Sequence, residues 1–302
     1  MISKFIKIIL SCIAFTIWWL ISILIPFRFQ LKFGDLLGTL LYNTNISRKK
    51  VAEVNIRKCF PKLTETQQQE LVKGTLKSTI KGAFESSAAW FWPNWRLKNK
   101  YTIEGLEHLT DAKKNNKGVV LMTFHFTTLE IGASIFSLNE IIDGLYRPHK
   151  NPIYEKIQAW GRMRRNKEGQ VIPNGDMRSM IKSLRKGRIV AYLPDQDFGQ
   201  KRSVFVPFFK IPTATLKVTS QLAKAGKAEV IPWVCKRVSE TGKYAVKVYP
   251  SLSQSLGTSE EEDARIINEF IEERIREAPE QYLWVHRRFK TRPPGEDSFY
   301  KK

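Results

Sequence analysis

A chain of 302 residues carries 50 Lys and Arg against 29 Asp and Glu, a formal charge of +21. It is long enough for one large domain or two small ones, and its charge suits an anionic partner or surface. Cys12, Cys59 and Cys235 are odd in number, far apart and in no CxxC, which argues against a disulfide framework or zinc ribbon and points to a reducing compartment. GxSxG, HExxH, Walker A and GxGxxG patterns are absent, so nucleophile-elbow hydrolases, zincins, P-loop NTPases and dinucleotide enzymes are not the readings to pursue.

Residues 8–27 form an uncharged run of 20. At about 1.5 Å rise per residue it matches a hydrocarbon core of roughly 30 Å. No small-x-small cleavage pattern precedes Arg28, so an uncleaved membrane anchor over 1–32 is expected rather than a signal peptide. Trp18 and Trp19 lie mid-run, away from the interfacial position usual for Trp. Charge flanks both ends, so orientation stays open, as does the choice between a span and a monotopic or interfacial helix. Residues 33–100 read as helical and membrane-proximal. Within them 48–60 is basic and amphipathic, and Thr64 with Gln67 predicts a capping box opening a helix towards Phe91. Trp90, Phe91, Trp92 and Trp95 around Pro93 read as a core corner or a membrane-interface belt.

From 101 the pattern changes. Strands are predicted at 118–124, 188–193, 229–236 and 244–249. Helices are predicted at 129–138, 152–164, 176–186, 214–225 and 259–277. Such alternation predicts an α/β fold with a mixed central sheet flanked by helices, occupying 101–302 of a domain that spans 33–302. The last helix carries Glu260, Glu261, Glu262 and Asp263 in its first turn and Arg274 and Arg276 in its last, as a helix dipole favours.

Four segments hold candidate chemistry. His125 and Glu130 stand five apart at the end of the 118–124 strand, a proton-handling pair at the rim where α/β proteins place sites. Thr127 and Glu130 also fit a T-x-x-E capping box, a structural reading compatible with the chemical one. Arg162, Arg164, Arg165 and Lys167 make a cationic block, either an oxyanion clamp or a solvated helix end. Asp195 and Asp197 flank Gln196 at another strand end, in a turn or a site. Arg287 and Arg288 lie in a dense basic and aromatic segment suited to phosphates on a lipid, to an acidic carrier protein or, as the rival, to stacked nucleic acid. The apolar stretch 204–209 is core by default, with a hydrocarbon-chain groove as the alternative.

Taken together, the hydrophobic N-terminus, HFTTLEIGA, YRPHKNP, WGRMRRNK, LPDQDFG, SVFVPFF and APEQYLWVHRRFKTRP make the chain resemble the Kdo-dependent late acyltransferases of lipid A synthesis, nearer the lauroyl than the myristoyl type. The resemblance covers nearly the whole chain. It implies a glycerolipid-acyltransferase-like fold at the cytoplasmic face of a bacterial inner membrane. It also implies a His125–Glu130 dyad, Arg162 (or Arg164) as the active-site arginine, and Asp195 and Asp197 near the dyad. An acyl carrier protein thioester would be co-substrate, with no metal, cofactor or acyl-enzyme. A lipid A precursor and an anionic membrane, rather than nucleic acid, would be the partners. His125 would act as general base and Glu130 would hold its tautomer, with backbone amides at 127–129 or an Arg facing the oxyanion. The rival readings are an acyltransferase acting on a phospholipid or glycolipid, and a membrane-anchored basic binding protein.

Overall fold

The computed structural model describes residues 2–300, with side chains described at Ile6 and from Ile8 onward. The helical N-terminal part comprises α1 (Ile2–Leu24), α2 (Phe27–Tyr42), α3 (Ser47–Cys59), α4 (Glu65–Phe91) and the short α5 (Asn94–Lys98). The expected capping box opens α4: Thr64 Oγ1 accepts from Gln67 N, and the Gln67 side chain accepts from Thr64 N.

Among the described residues no helix is long and apolar enough to cross a membrane. The expected spanning anchor over 1–32 is therefore unsupported. One side of α1 is taken up by protein contacts. Trp18 lies edge-on to both Trp90 and Phe91, each with centroids 5.5 Å apart. Trp92 Nε1 donates to Ser22 O at 2.9 Å, and Arg96 Nη1 to Ile23 O at 3.1 Å. The mid-run Trp18 is thus a packing residue, and Trp90 and Trp92 are the core corner against which it sits. The opposite side leaves Ile9, Leu10, Ile13, Ile17 and Leu20 exposed, and α2 adds Phe29, Phe33, Leu36 and Leu40.

The rest alternates strand and helix: β1 (Tyr101–Glu104), α6 (Glu107–Lys114), β2 (Gly118–Met122), α7 (Leu129–Phe136), β3 (Ile142–Tyr146), α8 (Pro152–Met163), β4 (Val171–Pro173), α9 (Met177–Leu184), β5 (Ile189–Tyr192), the hairpin β6 (Ser203–Phe208) and β7 (Ile211–Leu216), α10 (Thr219–Gly226), β8 (Ala228–Ser239), β9 (Lys243–Val248) and α11 (Glu260–Glu277). Seven strands form one sheet in the order β1-β9-β8-β2-β5-β3-β4, parallel except where β9 returns beside β8. Gly242 makes that return. Its φ is +77°, and a Cβ there would meet the Phe27 ring at 2.4 Å.

This is the mixed sheet flanked by helices that the alternation predicts. The central strand β2 is buried along its whole length, which is why it reads as a continuous apolar run. Its alternate residues serve two cores. Val120 and Met122 face α9, α10 and α11, while Val119 and Leu121 face α4 and α7. Five short strands escape sequence notice: β1, β3 and β4 in this sheet, and both strands of the β6–β7 hairpin. β3, for example, is interrupted by Asp143 and Gly144 and shows no apolar run.

The predicted helix at 214–225 is wrong in its first turn. Residues 214–216 belong to β7, where Thr213 and Thr215 fit a strand and Thr215 Oγ1 accepts from Asn268 of α11 at 3.0 Å. The stretch 204–209 forms β6 and its turn. Val206, Phe208 and Phe209 are core residues on the α11 side of the sheet, not the lining of a groove.

Candidate active site

β2 and β5 are parallel neighbours, with Met122 level with Tyr192, so the segments leaving their carboxyl ends emerge side by side. His125 and Asp195 meet there. Asp195 Oδ1 lies 2.7 Å from His125 Nδ1, and Oδ2 accepts the His125 backbone N–H at 2.9 Å. A carboxylate on Nδ1 fixes the tautomer with Nε2 as the basic nitrogen. The Asp195 side chain is 1% exposed and that of His125 25% exposed, so the acid is sealed below and the imidazole opens outward. Burial would raise the Asp195 carboxyl, but His125 and Arg288 outweigh it and hold the group below its ordinary range.

Glu130 does not hold this imidazole, contrary to the sequence expectation. It lies in the first turn of α7, where Arg162 of α8 grips it with two donors, Nε at 3.2 Å and Nη2 on the other oxygen, and Trp90 Nε1 of α4 donates at 2.9 Å. Burial pushes this carboxyl up as well, but the Arg162 charge and these hydrogen bonds hold it low, and the His125 charge adds to them. Five residues of spacing bring Glu130 to the same mouth as His125. The partner of the ring, however, comes from a strand 70 positions away.

The capping box at 127–130 is not formed. α7 is capped at Thr128 without a side-chain bond. Thr127 Oγ1 instead pairs with Ser78 Oγ at 2.7 Å, and Thr128 Oγ1 donates to Cys235 O at 2.5 Å. The loop is also clasped by the closing block: Leu283 N donates to His125 O, and Thr127 N to Gln281 O. With Leu129 N bonded to Phe126 O, the amides of Thr127 and Leu129 are already committed.

Below Glu130 and Arg162 an apolar cavity runs between α7, α8 and the sheet. Trp90, Leu129, Ala133, Leu121, Ala191 and Trp233 are among its walls. Among the described residues no group of three or more His, Cys, Asp or Glu side chains is placed to hold a metal ion.

The other predicted binding residues are not brought to this mouth. Arg164 Nη1 donates to Trp90 O at 2.7 Å and its guanidinium lies over Trp160. Asp197 accepts from Thr291 N at 2.6 Å, Thr291 Oγ1 at 2.8 Å and Gly199 N at 2.9 Å, stapling the closing block to the β5 loop. Arg288 is 1% exposed, donating to Ala214 O at 2.6 Å and Thr215 Oγ1 at 3.0 Å over the Phe208 ring. It is a buried strut, unable to grip a lipid phosphate. Arg287 alone of this pair is exposed, 5.7 Å from the Tyr300 ring.

Sequence reasoning missed three contributors. Trp90 orients Glu130. Buried Glu85 takes two bonds from Arg237, at 2.6 and 2.8 Å, and Arg237 reaches Ser78, the partner of Thr127, at 3.3 Å. His286 stands near His125 and Asp195 with Nε2 buried and unpaired among the described residues, and burial lowers its pKa. Only tertiary proximity signals these roles, since the residues lie on α4, β8 and the closing block.

A family model for bacterial lipid A biosynthesis acyltransferases matches residues 3–291. The chain is 36% identical over 292 residues to an Escherichia coli (strain K12) lipid A biosynthesis lauroyltransferase, covering 96% of this chain and 94% of that one. It is 34% identical to the palmitoleoyltransferase of the same strain, over 91% of this chain and 90% of the other. The myristoyltransferase of that strain is 28% identical, over 92% and 86%. A match running nearly end to end establishes that the chain belongs to the bacterial lipid A biosynthesis acyltransferase family.

Proposed function

We propose that this protein transfers a fatty acyl chain, lauroyl or one of similar length, from an acyl carrier protein thioester to the hydroxyl of a hydroxyacyl chain on a Kdo-bearing lipid A precursor. The observation that carries this reading is the junction of two pairs at one mouth: His125 on Asp195, and Arg162 on Glu130 above the apolar cavity. Nε2 of His125 takes the hydroxyl proton as that oxygen attacks the thioester carbonyl. The C–O bond forms, the C–S bond breaks, and the same proton goes to the leaving thiolate. Asp195 holds the ring and stabilises its charged form. Glu130 keeps Arg162 aimed at the mouth, where its guanidinium meets the developing oxyanion. General-base assistance of this type contributes about 10²–10⁴-fold. No resident metal or organic cofactor takes part in this scheme.

The apolar surface of α1 and α2 supports a membrane-docked enzyme lying on the bilayer rather than threading it. We place it at the cytoplasmic face of the inner membrane, where carrier protein and precursor meet. Its excess of cations suits anionic lipid, precursor phosphates and an acidic carrier alike, at about 1 kcal/mol for each Lys or Arg near the surface.

The test is mass spectrometry of lipid A from a host lacking its own late acyltransferases, with and without this protein. A gain of one nonhydroxylated acyl chain is expected. An unchanged spectrum despite normal expression would refute the reading. Acylation of phospholipid instead would favour the acceptor-shifted rival.

A further inference from the structure

Strand register explains the hollow beneath the active-site mouth. On the face towards α7 and α8, Leu121 is level with Ala191, and Val119 with Ile189. Ile142 is also level with Ile189, which puts Gly144, two residues on, beside Ala191. The sheet therefore carries three rows under the site. The top row, at the carboxyl ends, includes Thr123, Leu193 and Tyr146. The middle row is Leu121–Ala191–Gly144. The bottom row is Val119–Ile189–Ile142, large and buried. Two of the smallest side chains in the protein stand together in the middle row, and both line the cavity. A Cβ built on Gly144 meets nothing within 4 Å, so the space above it is open. From Tyr146 down to Ile142 is four strand rises, about 13 Å, room for roughly eight to ten extended methylenes.

The geometry points to Gly144 and Ala191 as the residues that set acyl-chain length, with Ile142 as the floor. This rests on the acyl-transfer reading above and assigns its donor chain a place. The chain enters past Arg162 and runs down along the strands, crossing the middle row over Gly144 and Ala191. It stops where Ile142 closes the bottom. A Val at 144 suits a strand and projects into that path. A Leu at 191 fills the neighbouring space. Removal of the Ile142 side chain to Cβ deepens the floor.

The experiment is a competition assay with purified protein, a lipid A precursor, and an equimolar mixture of octanoyl, decanoyl, lauroyl, myristoyl and palmitoyl carrier-protein thioesters, read by product mass. Gly144→Val and Ala191→Leu are expected to move the preferred chain shorter, with the longest-to-shortest product ratio falling about tenfold or more. Ile142→Ala is expected to move it longer. A folded Gly144→Val protein that keeps the wild-type ranking overturns the assignment. Should that variant fail to fold, Ile142→Ala decides: a longer optimum supports the assignment and an unchanged one overturns it. A wild-type protein that transfers no chain from any donor sinks the acyl-transfer reading and this assignment with it, so the two failures are distinguishable.

Discussion

Asp195→Asn should separate the two carboxylates that flank the mouth. It keeps the shape but removes the charge behind His125 Nδ1. Transfer should fall by about 10²–10⁴-fold while the fold is retained. The same variant carries a pH signature. The folded-state pKa of Asp195 is depressed, so its contribution to stability is full above the unfolded value and is lost as pH falls through the folded one. Thermal melts between about pH 5 and pH 2 should therefore be flatter for Asp195→Asn than for the wild type. Equal slopes would show that the pair is not charge-coupled. Glu130→Gln and Arg162→Ala should each cripple transfer, and the double variant should cost little more than either alone, because both remove one unit. Full additivity of the two losses would separate Glu130 from Arg162. His125 was legible as a base from its residue type and its place after a strand. The identity of its partner was not, since Asp195 lies a whole β-α-β-α-β-α-β stretch away and only strand pairing brings it in.

Helix ends and hairpins decide what the cationic block does. Arg165 looks interchangeable with Arg162 in a run of basic residues, yet it faces inward. It donates to Ala89 O and Trp92 O at the end of α4, and to Ser134 Oγ of α7 at 2.8 Å. Burial lowers its pKa to about 10. Arg165→Ala should thus cost about 2 kcal/mol of stability through stranded carbonyls. Arg162→Ala should lose activity far out of proportion to any fall in its melting temperature, which the stranded Glu130 carboxylate would cause. A shared profile for the two would mean that both are merely surface charges. Arg288→Met should likewise be read in a melt, since its donors hold the Ala214 carbonyl and the Thr215 hydroxyl of β7. Most elements were readable from periodicity, among them α4 with its Thr64–Gln67 box and α11 with Ser259 at its N-cap. The 127–130 box failed because Thr127 found a stronger claim on its hydroxyl in Ser78 of α4. Local pattern could not register that rival.

The apolar surface shared by α1 and α2 makes a prediction about the whole protein. Phe33→Ser with Leu36→Ser and Leu40→Ser should weaken binding to anionic vesicles by an order of magnitude or so, because about 25 cal/mol is lost for each Å² of apolar area left in water. Catalysis on detergent-dispersed substrate should persist. Vesicle binding that survives these changes would move the docking face elsewhere. The chain's residues alone carried its class, its cationic character, the base at a strand end and the family likeness. These rest on composition, short-range periodicity and ordered motifs, which need no knowledge of distant contacts. Tertiary structure decided which carboxylate serves which cation, which arginines are buried struts, and that α1 leans on Trp90 and Phe91 instead of standing free. It also decided that Ala191 and Gly144 sit side by side to leave a hollow. Those outcomes depend on register between strands far apart in sequence, and pairings of that kind are set by packing the sheet as a whole.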